Sequence, residues 1–194
     1  RHGVVPRLPR LGIPAAWLKN RLSASVREHF EHALFELKSQ GVEIIDCPLP
    51  DLPLAWICYS PIVRAEAATI HKKALLADGK GFSPSVLEPM LAGQKITAVE
   101  YLEAMQMRDR VAADLERTLR GIDALLLPTA AVTPPKRGQT EVDVVGGKMS
   151  VREAVLGQAL PFSLCGLPSL TVPAGLCEDL PVGLSLIGAK GADA

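Results

Sequence analysis

A chain of 194 residues and 20.7 kDa is long enough to enclose a sizeable core, and 48% hydrophobic with 22% charged residues is a globular composition, which excludes a disordered segment. Lys plus Arg (21) balances Asp plus Glu (21), so no net field recruits nucleic acid or an anionic membrane, and a small neutral molecule is the default partner. The longest apolar run, residues 124–132, is too short for a bilayer and is interrupted by Pro128.

In chain order, the segment LGIP at 11–14 predicts a short strand, SASVREHFEHALFELKSQG from Ser23 a helix, and VEIIDCPLP from Val42 a second strand. The helix is expected to open on a capping box, Ser25 with Glu28, and to carry Val26, Phe30, Ala33, Leu34 and Leu37 on one face. Gly41 follows the last periodic residue and supplies the left-handed stop. A helix between two apolar strands is a βαβ unit with a parallel pair, so the fold class is α/β.

Ser60-Pro61 reads as the cap and first turn of a second helix that stops near Gly79. After the turn GKGFSPS, residues 85–92 predict a short helix broken by Pro89. A long helix follows, opened by a capping box of Thr97 with Glu100 and running to Gly121, with Tyr101, Met105, Ala112, Leu115 and Leu119 on one side. IDALLLPTA predicts a buried strand bounded by Gly121 and Pro128, and residues 133–148 carry loop signals. Residues 150–158 predict a helix, and LTVPAG and LPVGLSLIG two strands joined as a hairpin by LCEDLP.

Candidate chemistry is sparse. His29 and His32 are three apart, a spacing that can serve one metal, but a 100° step per residue sends both toward solvent and no third ligand accompanies them. His71 reads as a surface residue. Val145-Gly146-Gly147-Lys148 lacks the spacer and the Lys-Ser/Thr ending of a phosphate loop and reads as a turn. The cysteines at 47, 58, 165 and 177 show no C-x-x-C spacing; buried free thiols in a reducing, cytoplasmic setting are expected. Cys165, in PFSLCGLPSLTVPAG, would need a base to act as a nucleophile, and no histidine follows position 71. The same scarcity argues against Ser163 or Ser169 in a Ser-His-Asp site.

Four segments taken together, EAATIHKKALL, FSPSVLEPMLAGQKITAVEYLEAMQMRD, DALLLPTAAVTPP and LPFSLCGLPSLTVPAGLCEDLPVGLSLIG, resemble the C-terminal half of the amidase signature family. The resemblance implies part of a mixed β-sheet core flanked by helices, with residues 1–194 forming a single α/β unit truncated at both ends. It also implies an amidohydrolase acting on carboxamide C–N bonds through a Ser-cisSer-Lys triad that needs neither cofactor nor metal. The Gly-Gly-Ser-Ser-Gly-Gly type run that carries the family's triad is absent from this sequence, so the chain by itself is expected to be inactive.

Pro89 stands where glutamine-using relatives carry a carboxylate-binding arginine, while Ser163 and Cys165 replace the usual asparagine and threonine, which favours a general or small-amide hydrolase over a glutamine-specific one. The resemblance places Gln158 and Phe162 as substrate contacts and Cys165 as a wall residue, beside the alternative of core and turn packing. The expected partners are a small amide in the complete protein, and either a second copy or the N-terminal half, with no nucleic acid and no membrane. The catalytic component of a tRNA-dependent amidotransferase and a non-catalytic scaffold are the alternatives.

Overall fold

The computed structural model describes residues 7–50, 52–77 and 79–192. In chain order the elements are β1 (Arg10–Ile13), α1 (Ala15–Leu18), α2 (Ala24–Ser39), β2 (Glu43–Asp46), α3 (Pro53–Ile70), α4 (Lys72–Leu76), α5 (Pro84–Gly93), α6 (Ala98–Thr118), β3 (Ala124–Pro128), β4 (Glu141–Val144), β5 (Gly147–Ser150), α7 (Val151–Leu156), α8 (Leu160–Leu164), β6 (Ser169–Cys177) and β7 (Leu180–Ile187). They divide into two compact units, Arg1–Pro50 with Asp114–Ala194, and Asp51–Ala113.

The first unit is a five-stranded mixed sheet in the order β2-β1-β3-β7-β6, the α/β class expected. β1 runs parallel to β2 and β3, whereas β7 is antiparallel to both β3 and β6. The centre of the sheet is β3, whose Leu125, Leu126 and Leu127 are 0%, 2% and 0% exposed. One apolar cluster joins Leu126 to Leu11, Leu18, Leu22, Val26 and Phe30, so α2 covers one face of the parallel strands as a βαβ helix does.

Helix α2 is stopped by Gly41 at φ 85. Its cap is Ser23, not Ser25: the Ser23 Oγ accepts from the Val26 N–H at 3.2 Å. The reason is tertiary, because the Ser23 N–H is donated to the Ala131 carbonyl at 2.8 Å, and this contact holds Ser23 extended, outside the helix. His29 also departs from expectation: it is half-buried, and its Nε2 bonds to the Ala174 carbonyl of β6. The loop expected over 133–148 contains strand β4 and the start of its partner β5; the turn reading of residues 145–148 holds for Val145 and Gly146, whereas Gly147, at φ 120, and Lys148 already belong to β5. Glu178 and Asp179 make the β6–β7 turn at φ 53 and 60, as the expected hairpin requires.

The second unit is helical. Helix α3 starts at Pro53, eight residues before the expected Pro61, which instead lies inside it. Pro53 fits the first turn, where no N–H is needed, and burial of Ala55, Cys58 and Ile62 along one stripe carries the helix through Pro61 although that residue cannot bond back to Ile57. Pro89 is likewise carried inside a continuous α5, between a first-turn Pro84 and the buried Met90 and Gly93. At Gly93 an added Cβ would lie 2.0 Å from the Arg64 carbonyl oxygen, so only glycine lets α5 meet α3 there. The Thr97–Glu100 capping box forms reciprocally: the Glu100 carboxylate accepts from the Thr97 N–H at 2.7 Å and its hydroxyl at 2.8 Å, and Thr97 Oγ1 accepts from the Glu100 N–H at 3.2 Å. In α6 the buried stripe is Ala104, Val111 and Leu115, with Tyr101 and Met105 half-buried beside it, and Leu119 just past the helix end is buried too.

Two outcomes are expected. Gly93→Ala should cost about 1–3 kcal/mol through overpacking against backbone, read as a lower urea midpoint at unchanged slope; an unchanged midpoint would disprove the close approach. Asp123 begins the turn into β3, and its carboxyl is held below the usual carboxylate range, first by the Arg10 N–H it accepts at 2.7 Å and then by the Arg7 guanidinium at 2.6 Å. A lowered folded-state value gives stability that is present above the unfolded carboxylate value and lost as pH falls through the lower folded one. Asp123→Asn should therefore flatten the acid limb of a stability–pH curve, and an identical limb in the variant would refute the linkage.

Candidate functional site

The chain leaves β3 through Pro128, and residues 129–132 are fastened at both ends. The Thr129 N–H donates to the Gly183 carbonyl at 2.9 Å, while the Ala131 N–H donates to Ala154 at 2.9 Å and its carbonyl accepts from Ser23. Beside this segment is a cavity of about 310 Å³ whose walls include Val26, Pro128, Thr129, Val132, Val155 and Val182. The Thr129 hydroxyl on this wall belongs to a small network: Ser185 Oγ, almost fully buried, lies 2.9 Å from Thr129 Oγ1 and 3.1 Å from Thr171 Oγ1. Gly183 makes room for it, since a Cβ there would stand 3.0 Å from both threonine side chains. The buried Ser185 hydroxyl is thus satisfied by its two threonine neighbours, and the cavity wall combines apolar side chains with the uncharged, hydrogen-bonded hydroxyl of Thr129.

The segment singled out in the sequence lies next in the chain. Helix α7 is capped by Ser150, which accepts from the Glu153 N–H at 3.1 Å, and Glu153 is tied to Arg21 at 2.8 Å. Gln158 follows α7 and is 1% exposed, with neither amide atom hydrogen-bonded among the described residues. Phe162, in α8, is also 1% exposed. Cys165 is the C-cap of α8 at φ −86, ψ 0. The left-handed residue is Gly166 at φ 69; its N–H donates to Ser163 at 3.1 Å and the Leu167 N–H donates to Phe162 at 3.0 Å. These two bonds are a Schellman ending, with the buried Leu167 as its apolar closure, and Pro168 prevents continuation.

The three residues suggested by resemblance therefore sit on one short stretch: Gln158 and Phe162 inside, Cys165 half-buried at the cap. None of the three lines the 310 Å³ cavity, to which the same stretch contributes Val155. The hydroxyl network of Thr129, Thr171 and Ser185 escaped the sequence reading because its members are far apart in the chain and meet only through strand register. The lone serine among the apolar residues of β7, Ser185, was the available signal.

Cys47, Cys58 and Cys177 are the buried free thiols expected, but Cys165 is only half-buried. Burial pushes the Cys47 and Cys58 thiols up, with the Asp46 charge adding to the shift at Cys47, so neither is a thiolate at neutral pH. Among the described residues no group of three His, Cys, Asp or Glu is placed to hold a metal, and no helix is long and apolar enough to cross a membrane.

A family model described as Amidase matches residues 5–194. Among curated proteins the chain is similar to the A component of the glutamyl-tRNA(Gln) amidotransferase of Symbiobacterium thermophilum, 30% identical over 95% of this chain and 42% of the relative, and to that of Clostridium novyi, 29% identical over 92% and 41%. Among solved structures it is similar to one described as an amidase, with a TM-score of 0.88 and 38% identity over 98% of this chain and 44% of that one. The corresponding A component of the Thermotoga maritima amidotransferase matches with a TM-score of 0.68 and 26% identity over 95% and 39%. The chain thus spans about two fifths of the length of the relatives it matches.

The geometry of the α8 ending makes one prediction. Gly166→Ala should lower stability by about 1–2 kcal/mol, and Gly166→Asn by less, because a side chain in the left-handed region is strained and asparagine tolerates it better. A thermal melt in which alanine and asparagine behave like glycine would remove the Schellman assignment.

Proposed function

Because the chain belongs to the amidase family, we propose that it is the C-terminal portion of one amidase domain, in a protein that hydrolyses the C–N bond of a small carboxamide. The observation that carries this reading is the match to the solved amidase, at 38% identity and a TM-score of 0.88 over nearly all of these residues.

In this reading a serine activated through a second serine by a lysine, all outside these 194 residues, attacks the amide carbonyl, and water releases the acid from the acyl-enzyme. The chain itself supplies the sheet, the core and part of the pocket wall. Gln158 and Phe162 belong to that wall and Cys165 borders it. The unbonded, buried amide of Gln158 supports its assignment, since a carboxamide left without partners costs about 1–3 kcal/mol and is expected to find them in a group this chain does not supply. Phe162 and Gln158 are covered by their own chain, so they shape the wall from behind. The protein works in the cytoplasm, on a small-molecule amide.

A second reading, ammonia release from glutamine in the A component of an amidotransferase, is favoured by the relatives of that name at up to 30% identity. Pro89, standing where glutamine-using relatives carry a carboxylate-binding arginine, speaks for general amides instead.

The test is ammonia release from simple aliphatic and aromatic carboxamides and from glutamine, by the full polypeptide and by residues 1–194 alone. Turnover of simple amides by the full polypeptide only, unchanged within about twofold by Ser163→Ala, is the expected result. A clear preference for glutamine selects the second reading. Turnover by residues 1–194 alone would overturn the placement of the nucleophile.

A further inference from the structure

The link between α1 and α2, residues 19–23, ties down three segments that lie far away in the chain. The Asn20 and Leu22 carbonyls accept from the Gly146 and Val145 N–H groups, each at 2.9 Å, which docks the β4–β5 turn. The Ser23 N–H donates to the Ala131 carbonyl at 2.8 Å, which holds the cavity wall after β3. The third tie is made by a side chain: Arg21 Nη2 donates to the Glu153 carboxylate, in the first turn of α7, at 2.8 Å.

Arg21 is held in this place from several directions. Its guanidinium lies over the Trp17 ring, 5.0 Å from the ring centre, and Trp17 itself packs against the main apolar cluster. The Arg21 side chain is 24% exposed, and its Nε is buried with no partner among the described residues. At Gly157, which ends α7, an added Cβ would stand 3.2 Å from Arg21 Nη2, so glycine leaves the guanidinium room beside the end of that helix. A planar guanidinium suits both a ring face and a carboxylate, whereas the compact ammonium of lysine suits the carboxylate alone. An exposed ion pair holds its partner loosely, but a charge this sheltered, with one carboxylate to meet, fixes that carboxylate in position.

Glu153 in turn carries part of the wall. The carbonyl of the buried Ala154 accepts from Ala131, Val155 lines the 310 Å³ cavity, and Gly157 leads into Gln158 and Phe162. Helix α7 has only six residues, too few to hold itself by propensity, so its place depends on what grips it. We propose that Arg21 is a positioning residue for the amide substrate: through Glu153 it fixes α7 against residues 129–132, and so sets the width of the cavity and the place of the stretch that follows. This rests on the reading of the chain as an amidase portion whose α7–α8 stretch is pocket wall. Arg21 acts through Glu153 and touches no reacting atom. A wall that only binds acts equally on the ground state and the transition state, so loosening it raises KM and leaves kcat in place.

Butyramide hydrolysis by the full polypeptide and its Arg21→Met, Arg21→Lys and Glu153→Gln variants tests it, with amide hydrogen exchange followed on the same samples. Arg21→Met and Glu153→Gln should each raise KM about tenfold with kcat unchanged within about twofold, and the double variant should be no worse than either, because both remove one interaction. Arg21→Lys keeps the charge and should recover part of the loss. The Gly157 and Ala131 amides, bonded to Glu153 and Ala154, should exchange about tenfold faster in Arg21→Met while the β3 amides keep their protection. An unchanged KM in both single variants, losses that add in the double variant, or a fall in kcat at unchanged KM would overturn the proposal. Faster exchange in a full polypeptide that turns over no amide, glutamine included, would remove the amidase reading and leave the clamp on α7 standing; turnover with KM and exchange both unchanged in the variants would do the reverse.

Discussion

Three successive leucines sealed from water, Leu125, Leu126 and Leu127, are the constraint from which the first unit follows. Side chains alternate along a strand, so two of the three point to one face of the sheet and Leu126 to the other, and both faces have to be covered. A strand that needs cover on both sides sits inside a sheet, with β1 on one flank and β7 on the other. The cover for Leu126 is the cluster around Val26 and Phe30, which is why α2 lies where it does. At about 2 kcal/mol for each fully buried leucine, β3 alone contributes a large share of a stability that is small in net terms.

What the centre of the sheet positions is its C-terminal end. Residues 129–132 leave β3 with their backbone groups already committed to Gly183, Ala154 and Ser23, so the wall they form is rigid. The stretch from α7 to β6 is fixed by different means, a serine cap at one end and a Schellman ending at the other. The prolines and glycines around Cys165 therefore shape the chain, and Cys165 occupies a cap because Gly166 after it must be left-handed. A box of this kind sets the path of the chain; what chemistry takes place near it is a separate matter.

Much of this was legible in advance where the determinant is local. Gly41 ended α2, Thr97 and Glu100 capped α6, and the βαβ order forced a parallel pair, since each depends on residues close in sequence. The errors came where distant contacts outweighed local preference. Ser23 displaced Ser25 as a cap because Ala131 held its N–H. Pro61 and Pro89 were tolerated inside helices because flanking residues bury on one stripe. His29 turned inward because a bulge in β6 freed a carbonyl for it. The β4–β5 hairpin went unread because turn-forming residues mask short strands. At the candidate site, Gln158, Phe162 and Cys165 could be named from the sequence, but their burial could not, nor could the meeting of Thr129, Thr171 and Ser185.

The sequence by itself determined the α/β class, the family, the lack of any histidine after position 71, and the caps and stops set by single residues, because these are properties of short windows or of composition. Only the tertiary structure decided which strands are edges, which polar groups lose water and which find partners. Those outcomes depend on register and on packing between residues more than a hundred positions apart, as with Arg10 and Asp123 or Arg21 and Glu153, and no local preference encodes them.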